Sequence, residues 1–424
     1  MFKSFLNSNG CNMHENKEEK QIAVLVAADL GEYDVEISLK ELEELANTAG
    51  AEVAAKIVQK RSELDSATYI GSGRLEEVAE LVKNSGVNLL IFDDELSPSQ
   101  IRNIEKLCEV SVIDRTMLIL DIFAQRARSR EGRLQVELAQ QKYRLPRLAG
   151  LGASLSRLGG GIGTRGPGET KLETDRRHIR RRISALEQQL DELQKRRDLT
   201  RKKRKNDGIT SVAIVGYTNV GKSTLLNYLT NAGVLAENML FATLDPTARG
   251  LTLPDGRTVM LIDTVGLIRR LPHHLVEAFK STLEEAANAD LLLNVCDVSS
   301  DEMQSQLEVT AKLMAEIGVG EAPVITVLNK CDRLAEPPLM VGELSVAVSA
   351  KTGYGIDKLL QKITDALPET HRRMKLLIPY GETSLVNAIR AEGKVFSEEY
   401  TAEGTLLDAL VDKKLIKKAE HFLI

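Results

Sequence analysis

The sequence predicts an α/β protein of several domains, and three observations lead to this prediction. Apolar runs alternate with amphipathic stretches from Gln21 to Ala124, two long charged stretches flank a glycine-rich segment, and further apolar runs begin at Ser211. Short apolar runs are typical of buried strands, and amphipathic stretches between them are typical of covering helices. The 424 residues are enough for two or three domains, each with its own core.

The composition excludes several classes of protein. Hydrophobic residues make up 43% of the chain and charged residues 28%, which are ordinary values for a globular protein. No apolar run approaches the roughly 20 residues that cross a bilayer, so no membrane span is expected.

Residues 1–20 lack the apolar core and cleavage site of a secretory signal and are predicted to be a flexible tail. The four cysteines form no Cys-x-x-Cys pair, which disfavours a zinc site or a disulfide framework and favours the cytoplasm. They are Cys11, Cys108, Cys296 and Cys331.

Residues 21–125 are predicted to form a small N-terminal α/β domain. The expected strands are Ile22–Ala27, Glu52–Val58 and Leu89–Phe92, and the expected helices lie near Leu39–Thr48 and Leu75–Lys83. Within this domain the segment Tyr69-Ile70-Gly71-Ser72-Gly73-Arg74 precedes a helix. Amides at a helix start can hold phosphate, but a single Gly-x-Gly is a weak signal, and a plain strand-to-helix turn is the favoured interpretation.

Residues 126–205 are predicted to form a basic helical hairpin. Its helices are expected over Asp121–Tyr143 and Glu173–Lys205, each with one apolar seam. The seam of the second helix consists of Ile179, Ile183, Leu186, Leu190 and Leu193. The segment carries 23 Lys and Arg against 9 Asp and Glu, a balance of +14 in a chain whose net charge is −5. Clustered cations near phosphates gain from counterion release, which favours a polyanionic partner; a solvated helical face is the alternative.

A glycine-rich loop separates the two predicted helices. It reads Gly159-Gly160-Gly161-Ile162-Gly163-Thr164-Arg165-Gly166-Pro167-Gly168-Glu169-Thr170, and Arg157 lies beside it. So many glycines disfavour regular structure and expose backbone amides. We interpret the segment as a loop that RNA can approach closely. A flexible connector is the alternative, but it would need fewer glycines and no arginines.

A phosphate-binding loop follows the first apolar run of the next domain. The run Ser211–Val215 leads directly into Gly216-Tyr217-Thr218-Asn219-Val220-Gly221-Lys222-Ser223-Thr224. The glycines let successive amides point at the α- and β-phosphates, and the helix expected over Thr224–Leu229 adds its positive end. Lys222 is expected to bridge the β- and γ-phosphates, and the Ser223 hydroxyl to bind Mg²⁺.

Three further motifs follow apolar runs and together predict a guanine nucleotide. Asp263-Thr264-Val265-Gly266 offers a carboxylate that orients Mg²⁺ through water and an amide for the γ-phosphate. In Asn329-Lys330-Cys331-Asp332 the last carboxylate can accept two N–H groups of guanine that adenine does not offer, while Asn329 braces the loop. Ser349-Ala350-Lys351 would contact the guanine carbonyl. Four motifs in this order predict a P-loop GTPase domain over residues 206–368 with GTP or GDP as ligand.

The segment Phe241-Ala242-Thr243-Leu244-Asp245-Pro246-Thr247 is the candidate switch between the first two motifs. Thr243 is expected to close over Mg²⁺ and the γ-phosphate and to release after hydrolysis, and Thr247 is the alternative ligand. The catalytic candidates are Lys222, Thr243 and Gly266, and the metal candidates are Ser223 and Thr243.

Leu267 follows Gly266, at a position where many GTPases carry a glutamine that orients the attacking water. A leucine has no group for this task, so we expect slow intrinsic hydrolysis that a partner accelerates. Arg269 and Arg270 are nearby, and we expect them to contact a partner or solvent rather than to act as arginine fingers in cis.

With the switch segment, the glycine loop and Leu172-Glu173-Thr174-Asp175-Arg176-Arg177 in view, the chain resembles the HflX family of translation GTPases from about Gln21 to Pro368. The resemblance implies a protein that binds the large ribosomal subunit and its RNA, chiefly through the N-terminal domain and the helical linker, and helps to split stalled or idle ribosomes. It also implies that Asn219 matches an asparagine that coordinates K⁺ in related potassium-stimulated GTPases; stabilising the loop is the alternative. An ATP-directed activity is suspected for the family's N-terminal domain, but no Walker-type pattern occurs there.

Residues 369–424 are predicted to form a small α+β C-terminal domain. A helix is expected near Thr383–Glu392, with strands over Lys394–Thr401 and Thr405–Val411. Three functional hypotheses remain at this point: a ribosome-splitting or rescue GTPase, an assembly factor for the large subunit, and a signalling GTPase with a protein effector. The basic linker disfavours the third. A monomer is expected, because the two linker helices lie close in sequence and can pack on each other.

Overall fold

The structure, a computed structural model, divides into two compact units, Met1–Gln188 and Gln189–Ile424. It describes residues 20–148, 167–206, 208–230, 240–241, 243–272, 275, 283–316, 318–319, 322–336, 338, 340, 342, 344–368 and 371–424. In the described part of the chain, no helix combines the length and apolarity needed to cross a membrane.

The first unit contains a parallel four-stranded sheet with the strand order β2-β1-β3-β4. Strands and helices alternate as β1 (Gln21–Asp29), α1 (Val35–Thr48), β2 (Ala51–Lys60), α2 (Ser72–Ser85), β3 (Leu89–Phe92), α3 (Pro98–Cys108), β4 (Ser111–Asp114) and α4 (Arg115–Arg126). The central strand β1 is buried from Ala23 to Ala28, as its continuous apolar run predicts for a strand covered on both faces.

The segment from Tyr69 to Arg74 forms a turn and the start of α2. The Gly71 amide donates to Gln59 Oε1 over 2.7 Å, and Tyr69 is fully buried with its hydroxyl accepting from the amide of Ala28 at 3.1 Å. The geometry is that of a packed strand-to-helix turn.

The single helix expected over Asp121–Tyr143 is wrong, because the chain breaks after α4 and resumes as α5 (Arg130–Leu148). The Ala127 amide closes α4 by donating to the carbonyl of Phe123 at 2.9 Å, and Ala127 itself is extended. The hydroxyl of Ser129 then accepts from the Gly132 amide at 2.8 Å. Serine satisfies an otherwise unpaired amide in the first turn of a helix, but the charged residues on both sides resemble one continuous helix and hide the break.

The second helix of the linker is α6 (Pro167–Asn206), so its prediction over Glu173–Lys205 is confirmed with an earlier start. Within the first unit α6 lies beside α5, joined by Arg182 to Glu137 at 2.6 Å and Lys142 to Glu187 at 3.1 Å. Leu186 is the fully buried member of the apolar seam. Most of the glycine-rich loop, with Arg157 and Arg165, lies outside the described residues.

The second unit contains a six-stranded sheet with the order β10-β9-β8-β5-β7-β6. Its elements are β5 (Ser211–Gly216), α7 (Lys222–Thr230), β6 (Thr247–Thr252), β7 (Thr258–Asp263), β8 (Leu291–Asp297), α8 (Met303–Glu316), β9 (Val324–Asn329), β10 (Ser345–Ala347) and α9 (Ile356–Ala366). Strand β6 pairs antiparallel with β7, and all other neighbouring strands are parallel. The carboxyl ends of β5, β7, β8 and β9 therefore meet at one edge, where ligands of open α/β sheets bind.

A three-stranded antiparallel sheet of order β11-β13-β12 follows in the same unit. Its elements are β11 (His371–Ile378), α10 (Thr383–Glu392), β12 (Lys394–Tyr400), β13 (Thr405–Asp412) and α11 (Lys413–Ala419). The predicted α+β fold is confirmed, although β11 and α11 were not predicted. One face of the sheet, through Leu376 and Leu407, packs against Ile389 of α10. On the other side, a Cβ atom at Gly256 in the β6–β7 turn would lie 2.6 Å from the Phe396 ring.

Candidate nucleotide-binding site

A cavity of about 240 Å³ opens at the carboxyl edge of the six-stranded sheet. The structure brings residues of all four predicted motifs and of the switch segment to its wall. The lining residues are Thr218, Asn219, Gly221, Lys222, Ser223, Thr224, Phe241, Thr243, Thr264, Gly266, Asn329, Lys330, Asp332, Arg333, Ala350 and Lys351. Arg333 was not predicted; it follows the fourth residue of its motif and carries no sequence signal of its own.

Other predicted site residues do not line the cavity. They are Gly216, Tyr217, Val220, Leu244, Asp245, Asp263, Val265, Cys331 and Ser349. Ala242 lies outside the described residues.

The phosphate-binding loop has the backbone that its glycines predict. Gly216 has φ +147°, and a Cβ atom there would lie 2.2 Å from the Val295 carbonyl oxygen. Gly221 has φ +95°, and its Cβ atom would lie 2.5 Å from Asn329 Nδ2. Only glycine tolerates both the left-handed backbone and this close approach. The loop is therefore held against β8 and against Asn329 of the base-recognition motif, which we define as residues 329–332.

Lys222 is buried beneath the loop and reaches across it. Its Nζ donates to the carbonyl oxygens of Gly216 at 3.0 Å and Tyr217 at 2.6 Å. Burial lowers the pKa of Lys222 to about 8, and the nearby carboxylate of Asp263 opposes the shift. An incoming phosphate would supply the negative charge that keeps this ammonium protonated.

Ser223, Thr243 and Asp263 form a compact cluster of oxygen atoms. Asp263 Oδ2 accepts from Ser223 Oγ at 2.8 Å and from Thr243 Oγ1 at 3.0 Å, and the two hydroxyl oxygens lie 2.7 Å apart. The alternative ligand Thr247 instead begins β6, where it pairs with Asp263 in the antiparallel ladder, and it does not line the cavity.

The cluster fits a bound Mg²⁺ ion by the chemistry of its atoms. Burial raises the pKa of Asp263, while Lys222 and the two hydroxyls oppose the shift. Asp263 Oδ1 is buried and has no hydrogen-bond partner among the described residues, so one carboxylate oxygen remains for a water or ion. Mg²⁺ prefers such oxygen ligands and keeps several waters. The described chain contains no group of three or more His, Cys, Asp or Glu that could hold a metal.

Asn329 joins the phosphate side of the cavity to the base side. Its Nδ2 donates to the Val220 carbonyl at 2.8 Å, and its Oδ1 accepts from the Ala350 amide at 3.0 Å. Next to it, Asp332 is exposed and accepts from Ser349 Oγ at 2.6 Å. This hydrogen bond holds the pKa of Asp332 below its ordinary value. An ionised carboxylate in this position can accept the two N–H groups of guanine.

Lys330 has a partner that sequence reasoning missed. Its Nζ lies 2.6 Å from Asp297 Oδ2 and 2.7 Å from the Asn219 carbonyl oxygen. The signal was available, because Asp297 ends the buried run of β8 and the carboxyl ends of parallel neighbours share one edge.

Leu267 does not line the cavity. It is buried, and its backbone bridges to Tyr217, with its amide donating to the Gly216 carbonyl at 3.1 Å. Arg269 forms an ion pair with Glu302 at 2.8 Å, and its amide donates to the Tyr217 hydroxyl at 2.8 Å.

Comparison with known proteins decides the family. Three family profiles match: "GTP-binding GTPase N-terminal" over residues 36–124, "GTP-binding GTPase Middle Region" over 126–204 and "50S ribosome-binding GTPase" over 211–330. GTPase HflX of Caldanaerobacter subterraneus subsp. tengcongensis is 52% identical over 412 residues, which cover 97% of this chain and 96% of the relative. The chain belongs to the HflX family of GTPases. GTPase HflX of Escherichia coli is 46% identical over 353 residues, covering 82% of this chain and 83% of the relative.

The HflX assignment confirms the predicted resemblance and the enzyme class: the protein binds guanine nucleotide and is a GTPase. A solved GTP-binding protein from Sulfolobus solfataricus in complex with GDP is 26% identical, with a TM-score of 0.45 over 82% of this chain and 98% of that chain. In this HflX-family chain the GTPase motifs surround the cavity described above.

Proposed function

We propose that this HflX-family GTPase binds the large ribosomal subunit through its basic helical linker and uses its GTP cycle to split stalled or idle ribosomes. Two facts support a ribosomal partner. The family profile that matches residues 211–330 is that of 50S ribosome-binding GTPases. The linker carries a balance of +14 in a chain of net charge −5, and clustered cations favour a polyanion such as RNA.

The arrangement of α6 in the second unit is the observation that carries the proposal. Positions 194, 197, 201 and 204 share one face of the helix. From this face Gln194 donates to Glu284 at 2.7 Å, and Arg201 pairs with Glu285 at 3.0 Å. Both glutamates follow the Gly266 motif along the chain, so one face of the basic helix is fastened to the region downstream of the γ-phosphate contact.

The opposite face of α6 is free to meet RNA. Arg196 and Lys203 are exposed there, and in the described part of the chain no acidic side chain pairs with either. Phosphate contacts from such side chains give affinity without reading sequence. One face of the helix therefore contacts the GTPase domain and the other offers cations.

Residues that line the cavity would carry out the nucleotide cycle. Lys222 would bridge the β- and γ-phosphates of GTP and the Gly266 amide would donate to the γ-phosphate, while Ser223 and Thr243 would hold Mg²⁺, which would supply positive charge against the phosphates. Loss of the γ-phosphate releases Thr243 and Gly266, and the change passes through the segment of Glu284 and Glu285 to α6. Because Leu267 is buried and has no polar group, intrinsic hydrolysis is slow until the ribosome orders the missing element.

The same proposal includes a K⁺ ligand, the oligomeric state, the cellular location and the domain boundaries. Asn219 lines the cavity, where its side chain would be the K⁺ ligand beside the phosphates. The protein acts as a monomer in the cytoplasm, where its ribosomal partner is. Its domains are the tail 1–20, the α/β domain 21–125, the linker 126–205, the GTPase domain 206–368 and the C-terminal domain 369–424.

GTP hydrolysis by the full chain, with and without large ribosomal subunits at low and high salt, tests the proposal. We expect strong stimulation that high salt abolishes, because counterion release dominates the RNA contact. No stimulation at any salt would leave the nucleotide site intact but contradict the ribosomal partner. Sedimentation separates the remaining alternatives: loss of joined ribosomes on adding protein and GTP supports splitting, whereas binding to immature subunits alone would indicate an assembly factor.

A further inference from the structure

We propose that Asp297 is a positioning residue for the nucleotide site: it fixes the Lys330 ammonium so that Lys330 holds the Asn219 carbonyl of the phosphate-binding loop, and thereby sets how long a nucleotide stays bound. The inference concerns GTP and GDP binding and does not depend on the ribosomal role. Asp297 does not line the cavity, so it acts through Lys330 rather than on the nucleotide.

The carboxylate of Asp297 is held from both of its oxygens. Oδ2 lies 2.6 Å from Lys330 Nζ, while Oδ1 accepts from the Ser299 amide at 2.9 Å and from the Ser299 hydroxyl at 2.6 Å. Although burial opposes ionisation, the bonds from Lys330 and Ser299 hold the pKa of Asp297 below its ordinary value. An ionised carboxylate with both oxygens occupied has little freedom to turn.

Lys330 uses this fixed partner to reach the phosphate-binding loop. Its side chain is 18% exposed and that of Asp297 is 14% exposed, so the ion pair is largely removed from water. The same ammonium donates to the Asn219 carbonyl at 2.7 Å. Both residues have left-handed backbones, with φ 65° at Lys330 and φ 60° at Asn219, and such conformations persist only where neighbouring contacts enforce them.

Two consecutive carbonyls of the loop are thus tied to the base-recognition motif. Asn329 holds the Val220 carbonyl with a neutral amide, whereas Lys330 holds the Asn219 carbonyl with a charged group. A largely buried charge without a counterion is costly, so Lys330 needs Asp297 in order to stay at the loop. Without it the ammonium would turn toward solvent and the phosphate-binding loop would lose one of its two ties.

The test is the dissociation rate of a fluorescent GDP analogue, mant-GDP, from the full-length Asp297→Asn variant. We expect release about tenfold faster than from the wild type, since hydrogen bonds to charged groups contribute roughly that factor. The Michaelis constant for GTP should rise by a similar factor while kcat at saturating GTP stays unchanged, a split that a general loss of structure would not give. Ser299→Ala, which removes the hydroxyl bond to Oδ1 but keeps the amide bond, should accelerate release about two- to threefold. Asp301→Asn, an exposed neighbour, is the matched control and should leave release unchanged.

A double-mutant cycle with Lys330→Met shows whether Asp297 acts through Lys330. We expect Lys330→Met to accelerate release and Asp297→Asn to add nothing in that background. Release from Asp297→Asn and Ser299→Ala at the wild-type rate would overturn the proposal. Fully additive effects of Asp297→Asn and Lys330→Met would overturn it as well, because they would mean that the two residues act independently.

Discussion

The two larger sheets of the protein both bear aspartates at or near the carboxyl ends of their parallel strands, but they use them differently. In the first unit Asp93 is enclosed by Arg115 at 2.9 Å and Ser38 at 2.7 Å, and Asp114 accepts from Arg147 at 3.0 Å. In the second unit Asp263 keeps one oxygen without a hydrogen-bond partner among the described residues, and Asp332 lines a cavity. Of these four carboxylates, the two of the second unit are placed to serve a ligand directly, whereas the two enclosed ones of the first unit stabilise the fold.

The largest effect on stability should come from a substitution in the buried cluster of Arg115, Asp93 and Glu41 in the first unit. Arg115 is 3% exposed and pairs with both Asp93 and Glu41. Arg115→Met leaves two carboxylates buried without their cation, so the free energy of unfolding should fall by about 3–5 kcal/mol. Urea unfolding followed by circular dichroism measures it.

Arg74→Met is the matched control for that experiment, because Arg74 pairs with Glu77 at the surface. This substitution should lower the free energy of unfolding by less than about 1 kcal/mol. Nucleotide affinity of the folded protein should be the same in both variants. A fall in GDP affinity for Arg115→Met under native conditions would contradict the purely structural role of this cluster.

Asp332, which lines the cavity of the second unit, should govern the choice of nucleotide and not the stability of the fold. In Asp332→Asn an amide N–H faces the N–H groups of guanine, so GTP affinity should fall about a hundredfold or more. Xanthosine triphosphate, which presents a carbonyl in place of the exocyclic amine, should bind better than GTP. Isothermal titration with the two nucleotides measures the switch, and an unchanged preference for GTP would show that another group reads the base.

Another aspartate, Asp121 of α4, is buried without enough positive charge to offset the cost of burying its ionised form. Burial raises its pKa to about 7, with Arg144 opposing the shift. Because this folded-state pKa lies above the unfolded value near 3.8, the folded state binds the extra proton and its stability falls as the pH rises from about 4 to 7. Asp121→Asn should remove that loss and raise the free energy of unfolding at pH 8 by about 2 kcal/mol. Equal stabilisation at pH 4 and pH 8 would rule out titration of Asp121 as the cause.

The smallest effect concerns the contact between the basic helix and the GTPase domain. Glu285→Gln weakens its pair with Arg201, which is 23% exposed, so stability should change by less than about 1 kcal/mol. If the contact couples the two parts, stimulation of GTP hydrolysis by large ribosomal subunits should fall about threefold while the basal rate stays the same. Glu187→Gln, which alters a pair with Lys142 in the first unit, should leave stimulation unchanged.

The sequence by itself determined the α/β class, the nucleotide and most of the residues that line the cavity. Short motifs sufficed because a phosphate-binding loop needs glycines at Gly216 and Gly221 and guanine needs a carboxylate at Asp332, wherever the rest of the chain goes. The same reasoning identified the basic linker, since charge is counted along the chain. Helix α10 was predicted with its observed bounds.

Only the tertiary structure decided which distant groups act together. The pairs Asp297 with Lys330 and Arg201 with Glu285 join residues 33 and 84 positions apart. The strand pattern places Asp297 at the same sheet edge as Lys330, but only the fold shows that the two side chains pair, and no sequence pattern connects Arg201 with Glu285. The break between α4 and α5 was missed because a single Ser129 cap is weaker in sequence than the surrounding charged periodicity. Local chemistry specifies motifs, whereas the choice between an aspartate that stabilises and one that binds depends on the side chains that the fold brings beside it.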